Sequence, residues 1–488
     1  MIYKKISLAI AISLGLFKMA EAQERLLSLS EAIGMAQKQS FEYKVALNRY
    51  HSNRWNYENY KASFLPTLSI DGTIPSYNRS INRITLPNGE DTFVSQNQAY
   101  SNLNLGIRQN VSATGGILSL GSSLDRIDVF GNIRQTNYSS VPVSISYLQN
   151  TIGFNSFKWQ KKTEPIRFES AKRELSTNMQ QIGLQTVSNY FNMIATQTQR
   201  SLSKQNLANA DTLHRIAKDR FKLGTVSQSE LLQLRLNVLN AQNRVLEDSI
   251  SYVLAQQQFS TYLLIDGTNL RLEVPEKIAF FEINFKEALA QAKNNSKTVI
   301  DFRLKRLEAE KNVAEVKSES NLKFNVRANF GLSSRAANLQ GLLNGLENQQ
   351  NVSLSFSLPL LDWGFAKTQK LRAEANLAMV KSEIEQQDMQ LEHEVTLHVS
   401  RWNLHQKNIA SAIEAKQIAE ENYELEIQRY KSGRISINDL NAAQNQKDNA
   451  SNAYIQSIRT YWDLYYTIGK LTLYNFEKNE KIVFDVLN

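Results

Sequence analysis

Long stretches of the chain avoid proline and glycine and repeat their apolar residues every seven positions, while two others alternate apolar and small polar residues. The prolines mark the changeovers: Pro66, Pro75, Pro87, Pro142, Pro165, Pro275 and Pro359. None falls between Pro165 and Pro275 or after Pro359, and those stretches hold only Gly183, Gly224 and Gly267, then Gly364, Gly433 and Gly469. An interior proline costs a helix ~3 kcal/mol and a glycine ~1 kcal/mol, so both stretches predict long helices. Segments 65–155 and 321–362 read differently. "TLSIDGTI", "SNLNLGIRQ", "VSISYLQ", "FNVRANFGL" and "NVSLSFSLPLL" alternate with a period of two, which predicts strands. Alternating segments of this length suit a membrane β-barrel or a soluble β-domain, and alternation alone does not choose between them.

The helical pattern says what the helices pack against. In 391–430, Val395, Trp402, Ile409, Tyr423 and Tyr430 fall on one seven-residue series, broken by Lys416. Leu397, Leu404, Ile418 and Leu425 fall on a second, broken by Ser411. Each series is a coiled-coil seam, and the two lie roughly 200° apart around a helix with ~100° per residue. Arg401, Lys407, Glu414 and Glu421 fill the arcs between them. Two lateral seams and two wet arcs suit the wall of a hollow helical cylinder.

The order of elements is written twice. "RFKLGTVSQSELL" from Arg220 returns as "RYKSGRISINDLN" from Arg429, 209 residues on, and "VSISYLQ" from Val143 returns as "VSLSFSL" from Val352 at the same offset. Upstream, "LSEAIGMAQKQS" from Leu29 lies over "FKEALAQAKNNS" from Phe285 at an offset of 256. The mismatch between offsets gives the first copy an extra excursion, within which 100–140 either add strands or form a projecting hairpin. The predicted layout is a first repeat at 23–267, with helix 29–62, strands within 65–155, long helix 165–221 and return helix 228–264. A second follows at 285–474, with helix 285–319, strands within 321–362, long helix 365–430 and return helix 437–473. At ~1.5 Å per residue each long helix spans about 85–100 Å and each return helix only ~55 Å, so return helices must stack end to end on helices 29–62 and 285–319. Segments 268–284 and 475–488 then lie at mid-height.

With its tandem repeat, its strand pair per repeat and the form "RF/RY-x-x-G-x-x-S-x-x-D/E-L" at both helical turns, the sequence resembles the TolC family of outer-membrane efflux and secretion channels. The resemblance implies an α+β membrane protein and a homotrimer. An outer-membrane β-barrel would continue into a long periplasmic α-helical barrel, each chain contributing a third of both. It also implies partners: a periplasmic adaptor (membrane-fusion) protein, an inner-membrane pump and outer-membrane lipid. The family's turn tips dock the adaptor, which here implicates Leu223, Gly224 and Thr225, and Ser432, Gly433 and Arg434. Any αα-hairpin also wants a glycine past one helix and a serine before the next. In the family's best-known member the second turn carries a gate: a tyrosine three before the glycine, an arginine two after and an aspartate six after. Tyr430 and Asp439 keep two of these places, Ile435 takes the arginine's, and Ala442 the place of a second aspartate. Arg429 or Arg434 is the candidate replacement, with Glu230 nearby as a further carboxylate.

Composition narrows the rest. The chain has 488 residues, no cysteine and a net charge of +9. Its opening "MIYKKISLAIAISLGLFKMAEAQ" puts Lys4 and Lys5 before an apolar run and a small-x-small site, the form of a secretory signal peptide at 1–22. Its loss takes away three lysines and one glutamate, and the mild positive charge left gives no clustered nucleic-acid footprint. Without cysteine there are no disulfides, thiolate metal sites or lipid-bearing cysteine. "HEVTLH" from His393 places Leu397 where a zinc-protease motif needs histidine, and no phosphate loop or nucleophile elbow is present, so no cofactor and no enzymatic role are expected. The expected function is an outer-membrane exit duct of a tripartite efflux or type I secretion system. The competing reading is a surface or periplasmic coiled-coil structural protein or adhesin, which leaves the strands without a role.

Overall fold

The computed structural model describes residues 25–131, 134–150, 153–266, 270–275, 278–319 and 322–484. The expected signal peptide lies outside the described residues, as do parts of both expected mid-height segments. The chain forms two compact units, one of residues 52–170 and 300–387, the other of the remainder, so each unit draws on both sequence repeats.

The first unit is built on one six-stranded antiparallel sheet. Its strands are β2 (Thr67–Thr85), β3 (Asp91–Val111), β4 (Gly116–Val129), β5 (Gln135–Gln149), β7 (Lys323–Ala336) and β8 (Glu347–Ser357), paired in that order. Residues 100–140 are therefore strands of this sheet. Register follows the period-two pattern between shifts at Thr73/Ser76, Gly121/Ser123 and Ser140/Val143, since a slip of one residue would turn every side chain to the other face. Ile70 lies opposite Leu105, Ile107 opposite Leu120, Leu120 opposite Ile145, Ile145 opposite Phe330, and Val326 opposite Leu354. The other face pairs Asp71 with Asn104, Asn104 with Ser123, Ser119 with Ser146, Ser146 with Asn329, and Asn329 with Asn351. One face is thus predominantly apolar and the other predominantly polar, the exceptions including Ser122 opposite Leu105 and Gln350 opposite Phe330 on the first and Ile117 opposite Leu148 on the second. The apolar face is bare: Ile70 is 65% exposed, Leu105 48%, Ile145 50% and Leu354 64%.

The helices of both repeats are α1 (Leu29–Gln39), α2 (Phe41–Ala62), α3 (Ser156–Lys222), α4 (Gln228–Leu263), α5 (Phe285–Asn295), α6 (Lys297–Glu319), α7 (Phe365–Lys431) and α8 (Ile437–Thr472). Helix α3 begins before Pro165, which lies in its third turn and removes one intrahelical bond without ending the helix. The helices expected over 29–62 and 285–319 are each broken, at Ser40 and Ser296, positions related by the repeat. Both serines are buried in extended backbone with ψ of 159° and 148°, and each N–H closes the helix behind it on Ala36 or Ala292. Each hydroxyl then caps the helix ahead, accepting from Tyr43 N at 3.1 Å or Val299 N at 3.4 Å. A serine that ends one helix and starts the next turns the chain without a proline or glycine to announce it.

In the second unit the short strands β1 (Arg25–Leu27) and β6 (Leu270–Leu272) pair in parallel, and β9 (Tyr474–Asn475) pairs with β10 (Glu480–Lys481). Gln197 clamps Leu272 through both its amide atoms, each at 3.0 Å. Its repeat equivalent, Gln406, donates to Phe281 O. The same position in each long helix thus fixes an extended segment by its backbone. The first seam of α7 is buried here, Val395, Trp402 and Ile409 being at most 1% exposed, whereas Leu404, Ile418 and Leu425 of the second seam are 58–65% exposed. Helix α4 carries a matching bare stripe of Leu232, Leu239, Leu246 and Val253 at seven-residue spacing.

Candidate functional site at the paired helical turns

Both helical turns lie in the second unit. Helix α3 ends at Lys222 and Gly224 takes φ +73°, a left-handed conformation that glycine adopts without a Cβ penalty. Thr225 closes the turn, its N–H and hydroxyl both donating to Arg220 O at 3.0 Å. Ser227 then caps α4, accepting from Glu230 N at 3.2 Å. The second turn repeats this geometry: Gly433 has φ +75°, and Arg434 N donates to Arg429 O at 2.9 Å. Ser436 caps α8 in a reciprocal box with Asp439, whose carboxylate accepts from Ser436 N at 3.0 Å and Oγ at 2.8 Å. These bonds, the hydroxyl's first, hold the Asp439 carboxyl below the usual aspartate range, although the side chain is exposed.

The turns are held together by a small core of Leu213, Ala217, Leu234, Tyr423, Tyr430, Ile437, Leu440 and Ala443. Tyr430 joins this core with its ring and leaves it with its hydroxyl, which donates to Glu230 Oε1 at 2.9 Å. One repeat's tyrosine thereby holds the other repeat's carboxylate. Burial, and then the bond to Glu230, push the Tyr430 hydroxyl well above the ordinary tyrosine range. Arg220 makes a second link, because its guanidinium lies over Gly433, where a Cβ would come 2.7 Å from Nη2. Gly433 is needed for its left-handed backbone, and a Cβ there would also displace the end of the Arg220 side chain, whereas Gly224 has open space around it.

Arg429 and Arg434 are the two candidates that the family resemblance offers for a basic group at the second turn. Arg429 is engaged within its own helix, 2.7 Å from Glu426, and Arg434 is exposed beside the turn. The basic group that reaches across the two turns is Arg220, and its signal was the opening residue of the first repeat's own motif. Leu223, 78% exposed, projects from the first turn, and Ser432 binds its own helix end at Arg429 O, 3.0 Å away. Behind the turns Lys447, 5% exposed, stacks 4.3 Å from the Tyr423 ring centroid, and Asn209 donates to the Tyr423 hydroxyl at 3.1 Å. Among the described residues there is no group of three potential metal ligands, and no helix is long and apolar enough to cross a membrane.

Residues 288–461 match a family model described as outer membrane efflux protein. No curated protein is a significant match to the sequence. Among solved structures, the chain is similar to the CmeC outer membrane channel of Campylobacter jejuni, with a TM-score of 0.65 and 16% identity over 94% of this chain and 87% of that one. The outer-membrane channel OprN gives 0.64 and 13% over 91% and 89%. The outer membrane protein VceC of Vibrio cholerae gives 0.59 and 14% over 91% and 95%. At these identities the structures establish a shared fold over nearly the whole chain.

Proposed function

We propose that this chain, a member of the TolC family by its outer membrane efflux segment and its fold, is the outer-membrane exit duct of a tripartite efflux or type I secretion system in a Gram-negative cell. The carrying observation is the two-faced sheet. An exposed, predominantly apolar face across six strands is unstable in water and suits lipid, and the polar face behind it suits a water-filled lumen. At the junction of β8 and α7, Leu360, Trp363 and Phe365 are also bare, as expected at a lipid headgroup boundary. A sheet with two open edges cannot remain in lipid, so copies of the chain must close it. The second seam of α7 and the bare stripe of α4 supply helical surfaces for the same closure, in a homotrimer. A coiled-coil structural protein would account for those seams and leave the sheet unexplained.

Conduction in this account is passive, without catalysis, and energy comes from an inner-membrane pump. The turn tips at Leu223–Thr225 and Ser432–Arg434 receive a periplasmic adaptor, and Tyr430, Glu230, Asp439 and Arg220 hold the entrance shut. Arg429 steadies the second turn from within α7. Membrane fractionation of expressing cells tests this reading. The protein should sediment with outer membranes and change electrophoretic mobility on heating, as a closed barrel does. Recovery in the soluble periplasmic fraction would contradict it.

A further inference from the structure

The excursion that distinguishes the first repeat is the hairpin of β3 and β4, and its position in the sheet has a consequence for the pore. The turn joining these strands lies at the helix-proximal end of the sheet. Asn155, just before α3, donates to Ser112 O at 2.9 Å, and Asn110 donates to Ser63 O, just after α2, at 2.8 Å. The Tyr147 hydroxyl holds the same turn at Thr114 Oγ1, 2.7 Å away. Nor is the hairpin chemically different from its neighbours. Leu105 and Ile107 on β3 and Leu118 and Leu120 on β4 carry the apolar face from Leu68 and Ile70 of β2 to Ile145 and Tyr147 of β5. Asn104, Arg108, Ser119 and Ser123 continue the polar one.

Resting on the trimer reading above, we infer that the β3–β4 hairpin spans the membrane and that three six-stranded sheets close an eighteen-stranded barrel, with β8 of one copy pairing β2 of the next. An even strand count makes the two edges run in opposite directions, so closure keeps the barrel antiparallel throughout. The dimensions agree. Eighteen strands ~4.8 Å apart and tilted ~40° close at a diameter of ~36 Å. Four helices meet the sheet in each copy, α2, α3, α6 and α7, and a ring of twelve at ~9 Å spacing closes at ~34 Å. A four-stranded share would close at only ~24 Å at the same tilt, and would need steeper strands to match that ring. The hairpin thus makes the barrel as wide as the helical duct and leaves size selection to the helical turns.

The absence of cysteine allows single-cysteine labelling of the full chain reconstituted in lipid vesicles. Leu105→Cys and Leu120→Cys test the apolar face of the hairpin, Asn104→Cys and Ser119→Cys its polar face, and Leu354→Cys on β8 is the reference. A fluorophore at the two hairpin leucine positions should be quenched by nitroxide-bearing acyl chains as strongly as at 354. A water-soluble maleimide should react several-fold faster at 104 and 119. If the reference is quenched while 105 and 120 react freely with the maleimide and are not quenched, the hairpin is outside the membrane and the inference fails. If the reference itself behaves as water-exposed, the membrane reading fails instead. Heat-modifiable migration of each labelled variant confirms that the folded barrel is being read.

Discussion

Tyr430→Phe removes one hydroxyl and keeps the ring in its core between the two turns. The bond lost joins a buried phenol to a carboxylate at 2.9 Å, and hydrogen bonds to charged groups contribute ~1.5–3 kcal/mol. Glu230 is half-buried and regains water when released, so the lower end applies, and about 1.4 kcal/mol is tenfold in the closed-to-open ratio per chain. Three chains opening together multiply this toward ~10³. The assay is open probability of the purified protein in a planar bilayer, beside a thermal melt. The variant should be open for a far larger fraction of time at unchanged single-channel conductance. Unchanged open probability, with or without a lower Tm, would refute the assignment of this bond to the gate. The pH dependence has a definite sign. Because the folded-state value of Tyr430 is raised, its hydroxyl remains a donor past the ordinary tyrosine value of ~10, and the contribution is lost only as pH rises through the folded value.

Asp439→Asn keeps an acceptor for Ser436 and removes a charge, so it should reduce the cation preference of the open pore with little change in Tm; unaltered ion selectivity would take Asp439 out of the lumen. The lowered pKa of Asp439 keeps it charged as pH falls past ~3.9, so the wild-type preference should persist to more acidic solution than an ordinary aspartate allows. Leu246→Glu and Leu404→Glu each put three charges into the proposed seams between copies and should yield monomers by light scattering, since burying each leucine contributes ~1.5–3 kcal/mol. Gly183→Ala sets a methyl 2.5 Å from the Tyr466 ring. Overpacking costs ~1–3 kcal/mol and alanine returns ~1 kcal/mol of helix propensity, so Tm should fall or, at best, stay level.

Periodicity made much of the architecture legible before any coordinates. The α7 seam through Val395, Trp402 and Ile409 is buried and the arcs between seams are wet, as seven-residue spacing requires. The alternation around Leu105 and Leu120 belonged to a sheet, but which end of it held the 112–115 turn depended on Asn155, a tertiary contact no local pattern encodes. The breaks at Ser40 and Ser296 were hidden because serine is tolerated inside helices, and only the extended backbone at each lets its N–H close the helix behind while its hydroxyl caps the helix ahead. At the turns, the places of Tyr430, Asp439 and Glu230 were readable from the repeat. The reach of Arg220 to Gly433 was not, because it joins one repeat's helix end to the other repeat's backbone.

A water-filled duct through the outer membrane must carry ions, and that is what this chain is proposed to form. Ion conduction by the purified, full-length protein in a planar lipid bilayer tests it most directly. Discrete, repeatable channels of one unit size are expected from a preparation that runs as a heat-modifiable trimer. Absence of any conductance from protein that is folded, trimeric and inserted would contradict it.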